Sequence, residues 1–209
     1  LPFEIDSSDE LSSWRAETFF SKEPETLEWL RTYVSNDEIP VLLDVGANIG
    51  LYSLYYLSLK PQTETISCEP FQENFHLLIR NLDMNGFAER AILVQNPLSR
   101  VSEEGFAEIN DSRPGGSGYR YIRNLEAELD LIKIKTVSID EILRHEIRQV
   151  IIKIDTDGSD FEILQGARES LASGKVISVL IESDVDGQKR IRNFLDQFGL
   201  VPNVELDNL

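Results

Sequence analysis

A few short stretches of this chain carry residue types that do chemistry. The first reads Asp44-Val45-Gly46-Ala47-Asn48-Ile49-Gly50. Small residues here let the backbone turn sharply and approach a ligand, and a helix starting after them presents N–H donors. The glycines are spaced G-x-x-x-G, whereas the dinucleotide fingerprint G-x-G-x-x-G needs a glycine where Asn48 stands. Asp44 repels a pyrophosphate and favours a ligand bearing an ammonium or sulfonium. The plain alternative is an ordinary strand-to-helix turn.

The second stretch is Ser67-Cys68-Glu69-Pro70. A carboxylate roughly 20 residues past a glycine loop stands where ribose hydroxyls are held, by charge-assisted hydrogen bonds. An exposed glutamate at a strand end is the alternative, and the pairing with the glycine loop favours the nucleoside.

The third is Ile152-Lys153-Ile154-Asp155-Thr156-Asp157-Gly158, followed by Asp160, with Glu182 and Asp184 further on. A lysine inside an apolar strand is costly unless paired, or unless its stem snorkels out to water. Carboxylates grouped at neighbouring strand tips serve as a general base, bind an ammonium or hold Mg²⁺. They also serve as helix N-terminal charges. Asp160 reads as such a cap, Asp155 as a functional group. His76 and His145 read as surface or packing residues, Cys68 as a small buried residue, and Tyr119 and Tyr121 as hairpin residues rather than a substrate mouth. No nucleophile elbow G-x-S-x-G is present.

The elements that must position these groups follow from periodicity. Leu1 to Asn36 reads as a helical lead-in, with Leu27, Leu30 and Val34 on one stripe and Pro24 suited to a first turn. Strands are expected at Val41–Val45, Thr65–Cys68, Ala91–Gln95, Leu131–Thr136, Val150–Ile154 and Val176–Glu182. Helices are expected at Leu51–Leu59, Phe71–Met84, Ser138–Arg144, Ser159–Ala172 and Gln188–Phe198. Ser99 to Asn124 is polar and glycine-punctuated, fitting loops and short strands. The alternation predicts an α/β fold: a mostly parallel, doubly wound sheet covered on both faces. One structural domain is expected, divided into a lead-in over 1–36 and an α/β core over 37–209.

The chain has 209 residues, and 37 acidic against 20 basic side chains give a net charge of −17. That charge disfavours nucleic acid as a partner. No stretch approaches the roughly 18–20 apolar residues of a membrane span. With one cysteine there is no internal disulfide, and with two histidines a Cys/His zinc site is disfavoured. The chain opens at Leu1 without a signal-peptide pattern, as a processed chain or a piece of a longer polypeptide would, and a cytoplasmic location is expected.

Taken together these motifs resemble the FkbM-type methyltransferases, S-adenosylmethionine-dependent enzymes with a Rossmann-like class I methyltransferase fold. The resemblance runs from about Glu23 to Gly199. It rests on Glu23-Pro24-Glu25-Thr26, the glycine loop, Glu69-Pro70 with Asn74, Leu78 and Asn81, Ser138-Ile139-Asp140-Glu141-Ile142, and Ile152 to Gly158 with Glu162, Leu164 and Gly166-Ala167. The glycine loop is generic, while the Lys-Ile-Asp block is more specific. Asp157 and Asp160 stand where the family usually has glutamates, and only Leu200 to Leu206 remains for the terminal hairpin such sheets normally carry.

The resemblance implies that Asp44, Gly46, Asn48 and Gly50 surround the methionine part of the cofactor, with Glu23 and Asp155 also among the cofactor-binding residues. It implies Glu69 on the ribose, Phe71 and Asn96 near adenine, and Lys153 and Asp155 beside the transferred methyl group as catalytic residues. The implied reaction is O-methylation of a small-molecule, sugar or polyketide-like acceptor, with neighbouring domains in a longer chain an option. From the residues themselves, proton removal would fall to a base such as Asp155 or to a carboxylate-bound Mg²⁺; no metal site is assigned, Asp155, Glu182 and Asp184 being the candidates for one. The alternatives are a non-catalytic cofactor-binding module and a nicotinamide oxidoreductase, the latter disfavoured by Asn48 and Asp44.

Overall fold

A computed structural model of the chain describes residues 2–6, 9–35, 38–109, 119–122, 132–156, 158–183 and 185–202. Two helices lead in, α1 (Glu10–Lys22) and α2 (Pro24–Val34). Asp9 caps α1 by accepting from the Ser12 N–H at 2.9 Å, and Pro24 opens α2. The core then alternates β1 (Val41–Val45), α3 (Leu51–Leu59), β2 (Thr65–Cys68), α4 (Gln72–Met84) and β3 (Ala91–Val94). A hairpin insertion follows, with β4 (Glu104–Ile109), β5 (Tyr119–Ile122) and β6 (Ile132–Lys135). The chain returns through α5 (Ile139–Ile142), β7 (Val150–Ile154), α6 (Asp160–Gln165), α7 (Arg168–Ala172), β8 (Val176–Ile181) and α8 (Val185–Leu195).

Five strands form a parallel sheet ordered β3-β2-β1-β7-β8, and the insertion forms an antiparallel sheet ordered β5-β4-β6. The strand order reverses between β1 and β7, which opens a crevice beyond their carboxyl ends.

Strand parity divides the core. Val41, Leu43, Val45, Ile152 and Ile154 pack on one face with α6, α7 and α8. Leu42 and Ile151 pack on the other, with Leu54 and Tyr55 of α3 and with Phe19, Leu27, Leu30 and Val34 of the lead-in. The lead-in therefore shares the apolar core of the sheet, continuous across the boundary drawn at residue 36.

The expected helix over Ser159–Ala172 is two helices, α6 and α7, turned at Gly166-Ala167. The Asp140 carboxylate caps α7 by accepting from the Glu169 and Ser170 N–H groups at 2.9 and 2.7 Å. A Cβ on Gly166 would stand 2.6 Å from the Ser99 carbonyl oxygen, so the bend also makes room for the chain leaving β3. The last helix starts earlier than expected and ends in a 3₁₀ turn over Asp196–Phe198.

Gly46 has φ +80°, and a Cβ there would collide with the Asp155 carbonyl oxygen. Gly86, after α4, has φ +67° with open space around it. Gly86→Ala should cost about 1–2 kcal/mol, the left-handed backbone penalty alone. Gly46→Ala should cost more, because the tips of β1 and β7 must also separate. Urea unfolding of the two variants checks the difference.

Candidate active site

The crevice at the strand tips is a cleft of about 330 Å³. Gly46, Ala47, Asn48, Glu69, Phe71 and Asp155 line it, among others. The loop after β1 brings Gly46 and Asn48 to the surface of this cleft. Asn48 has φ +52°, a left-handed conformation that asparagine tolerates by bonding locally; its Oδ1 accepts from the Ile49 N–H at 2.9 Å.

Every N–H along this loop is used inside the protein. Gly46 and Ala47 donate to the Cys68 carbonyl at 3.0 and 2.9 Å, and Gly50 donates to the Ala47 carbonyl at 2.8 Å. Asn48 donates to Glu69 Oε2 at 2.8 Å, and Ile49 donates to Asn48. The loop thus presents no nest of free donors to a phosphate.

Glu69, at the tip of β2, is buried. Its carboxylate accepts from the N–H groups of Asn48 and Phe71, at 2.8 and 2.9 Å, and from Asn74 Nδ2 at 3.5 Å. Burial pushes its carboxyl up to about 7, although these donors pull the other way. A carboxylate has about four acceptor positions, so acceptor capacity remains toward the cleft.

Asp44 and Lys153 are cross-strand partners in the β1–β7 register and share a face of the sheet with Asp155. Both Asp44 and Lys153 are fully buried and neither lines the cleft. Asp44 Oδ2 accepts from Ser53 Oγ at 2.6 Å, while Oδ1 makes no hydrogen bond and lies 4.0 Å from Lys153 Nζ. Lys153 Nζ donates to Asp155 Oδ2 at 2.9 Å and sits 4.5 Å from the centre of the Tyr52 ring. The Tyr52 hydroxyl donates to Glu23 Oε2 at 2.7 Å.

Burial pushes Lys153 toward neutrality, but the charges of Asp155 and Asp44 overcome it and hold the ammonium above its ordinary value. Burial likewise raises the Asp44 carboxyl. Asp155 is 38% exposed, and against the effect of burial the Lys153 charge and hydrogen bond hold its carboxyl below the ordinary value. Glu182 lines the cleft and hydrogen-bonds Asp155; its carboxyl is raised by burial and by the Asp155 charge. The pair is an ionised Asp155 beside a glutamic acid that more readily carries a proton.

Of the residues read from sequence, Gly46, Asn48, Glu69, Phe71, Asp155 and Glu182 converge on the cleft. Lys153 and Asp44 lie beneath it, where Lys153 donates to Asp155. Glu23 is one step behind the wall, on Tyr52. Gly50 packs against α4, where a Cβ would stand 2.5 Å from Leu78 Cδ1. Asn96 does not line the cleft; its side chain donates to the Lys135 carbonyl at 3.0 Å, and the neighbouring Pro97 and Leu98 are the lining residues. Asp160 does not simply cap α6: its carboxylate folds back onto the Thr156 N–H and hydroxyl, at 2.7 and 2.9 Å. Asp157 and Asp184 lie outside the described residues. Among the described residues no group of three His, Cys, Asp or Glu side chains is arranged to hold a metal ion, and His76 and His145 are exposed and away from the cleft. Arg15, Lys22 and Tyr52 also line it. Sequence reasoning missed these three because the lead-in's place over the glycine loop is a tertiary fact; the spacing of Arg15, Phe19 and Lys22 on one helix stripe was the available signal.

The sheet order, the crevice at its reversal point and the carboxylate at the tip of β2 define the Rossmann-like fold of class I methyltransferases. A SAM-dependent methyltransferase structure from Agrobacterium tumefaciens superposes with a TM-score of 0.50 at 9% identity, covering 86% of this chain and 50% of that one. The family model described as the methyltransferase FkbM domain matches residues 44–201, and the chain belongs to that family. Methyltransferase sdnD of Sordaria araneosa is 26% identical, with 62% of this chain and 61% of that protein covered. The hexuronic acid methyltransferase AglP of Haloferax volcanii is 28% identical, with 72% and 59% covered. The chain thus spans about three fifths of the length of these relatives.

Replacing Lys153 by methionine removes the cation and leaves two carboxylates facing each other. Asp155, whose carboxyl is depressed in the folded protein, stabilises the fold above its unfolded-state pKa; without Lys153 that contribution becomes a penalty. Lys153→Met should therefore destabilise by about 3 kcal/mol at neutral pH. The deficit should shrink as pH falls toward the ordinary carboxylate range, in urea unfolding followed across pH.

Proposed function

We propose that this chain is a methyltransferase domain that uses S-adenosylmethionine to methylate a hydroxyl oxygen of a small-molecule or glycan acceptor. The observation that carries the reading is the glycine loop with no N–H to spare, set beside Glu69 and Asp155 in one cleft. A pyrophosphate finds no donors in that loop and meets carboxylates instead. A nucleoside joined to a sulfonium needs what the cleft has: an acceptor for ribose hydroxyls, an apolar wall and negative charge. Family membership and the two methyltransferase relatives support the same reading, and the hexuronic acid in one relative's name supports a sugar acid among the acceptor classes.

The fit extends residue by residue. Glu69 would take the ribose hydroxyls on its remaining acceptor sites. Phe71, Pro97, Leu98 and Ile163, which all line the cleft, would frame the base. Gly46, having no side chain, would let the ligand approach the loop backbone closely. When bound, S-adenosylmethionine supplies an electrophilic methyl group. An alcohol is a weak nucleophile, so a group that takes its proton accelerates attack. Asp155 is that base: Lys153 holds it ionised and fixes its position, and Glu182 hydrogen-bonds it. The acceptor hydroxyl gives its proton to Asp155 as its oxygen forms the new bond to carbon. Holding acceptor and methyl group in line provides much of the rate.

Two tests follow. S-adenosylhomocysteine should bind in calorimetric titration while NAD does not, and Glu69→Ala should weaken that binding by at least tenfold. Ribose hydroxyls donate to the ionised carboxylate, and burial pushes the Glu69 carboxyl up to about 7. Affinity should therefore rise with pH up to that value and level off above it, and Glu69→Gln should flatten the dependence. No binding by the folded chain would refute the cofactor assignment. Asp155→Asn should lower methyl transfer to hydroxylated acceptors by about 10²–10⁴-fold with S-adenosylhomocysteine affinity nearly intact. Equal loss of both would remove Asp155 from the role of base, and binding without transfer in the wild type would favour a non-catalytic cofactor-binding module.

A further inference from the structure

The glycine loop creates a shortage that the rest of the cleft must make good. The cofactor proposed above carries a carboxylate on its methionine end. The N–H groups from Gly46 to Gly50 are all engaged within the protein. Glu69, Asp155 and Glu182 line the cleft and repel an anion. Among its lining residues the cations are Arg15 and Lys22, both on α1 and both ahead of the residues 44–201 that the family model matches.

Their placement is built into the helix. Ser12, Arg15, Phe19 and Lys22 follow one another at spacings of three and four, on one stripe. Ser12 and Phe19 are buried, which fixes the rotation of α1. The Phe19 ring packs against Phe3, Tyr52 and Tyr55 at centroid distances of 5.9, 5.2 and 5.8 Å. Tyr52 is itself a cleft residue, in the first turn after the glycine loop. Phe19 thus anchors α1 beside that turn and presents Arg15 and Lys22 on either side of the anchor. Lys22 Nζ lies 3.2 Å from Glu23 Oε1 and is 54% exposed. An ammonium has three donors, so this pair does not exhaust it. The Lys22 charge also acts on both Asp155 and Glu182, which puts it at the strand-tip end of the cleft.

We infer that Arg15 and Lys22 form a carboxylate-binding site that holds the methionyl carboxylate of S-adenosylmethionine, so that the N-terminal helix completes the cofactor site. The inference rests on the cofactor proposed above. It makes α1 part of the binding machinery rather than a cover for the sheet, and it accounts for two cations lining an acidic cleft in a chain of net charge −17.

The test is calorimetry with two probes, S-adenosylhomocysteine and its decarboxylated analogue, which lacks that carboxylate and is otherwise the same. Wild type should bind the first about tenfold more tightly or better, since one charge-assisted contact is worth that much. Arg15→Gln and Lys22→Gln should each weaken S-adenosylhomocysteine by about tenfold and leave the analogue unchanged. Lys22→Arg should restore most of the loss. Lys189→Gln, the same charge change on α8, should have no effect, and thermal melts of all variants should match. Equal weakening of both probes, or none of either, overturns the inference. So does an unchanged cofactor affinity with a raised KM for a uronate acceptor, which would assign the two cations to the acceptor. Failure of wild type to bind either probe overturns the cofactor reading itself, a result that no variant can mimic.

Discussion

A lysine ammonium inside a doubly covered sheet is the constraint on which the rest of the site depends. Removing an ammonium from water costs several kcal/mol, and only closely held carboxylates offset it. Lys153 meets that condition because β1 and β7 are neighbours with Asp44 opposite it, and because Asp155 is two residues on along the same face. The Tyr52 ring closes the remaining side. The charge therefore ties together the two central strands, the helix after the glycine loop and the residue at the tip of β7. Exchange of β7 for another strand, or a slip of one register position, would leave a bare charge in the core. The same arrangement holds the Asp155 carboxyl below its ordinary value, so one buried charge ties the centre of the sheet to the carboxylate at its edge.

Glu69 plays the matching part at the tip of β2. Its carboxylate joins the glycine loop to the start of α4 by accepting from Asn48 and Phe71. The group suited to a ribose is thus also the one that shapes the wall around it. Its burial makes ionisation unfavourable, which leaves it poised where hydrogen-bond donors from a ligand tip the balance. A loop that uses its own N–H groups and a buried glutamate with acceptor capacity to spare form a coherent pair. Together they leave the loop few donors for a phosphate and put an acceptor at the cleft, by electrostatics and donor supply rather than by shape.

Much of this was legible from residue order. Asp44, Lys153 and Asp155 could be read because a charged residue in a β-branched run has few ways to be tolerated, and the strands around them are well marked. Glu69 followed from its distance to the glycine loop. The resemblance puts Gly50 and Asn96 at the cofactor; in the structure Gly50 packs on Leu78, Asn96 bonds the Lys135 carbonyl, and neither lines the cleft. A glycine needed for contact with Leu78 and one needed for contact with a ligand look alike in a sequence. The split of the helix at Gly166-Ala167 was hidden for a similar reason: Asp140, which caps α7, comes from a segment 29 residues earlier. Periodicity sees one chain segment at a time, and these features need two.

The lead-in shows the same limit with a larger consequence. Its apolar stripe was visible, yet an amphipathic helix at the start of a chain carries no mark of what it covers. Packing answers the question. Phe19 sets α1 against Tyr52 and Tyr55, Tyr52 lies against Lys153, and its hydroxyl binds Glu23 at the junction of α1 and α2. The contacts run without a break from the outer helix to the buried lysine. Residues 44–201 carry the family's pattern, but the wall of this cleft begins at Arg15. A site assembled this way draws its wall from the N-terminal helices as well as from the strand tips. Arg15 and Lys22 reach the cleft from α1, so a ligand held by them would also hold α1 against the sheet.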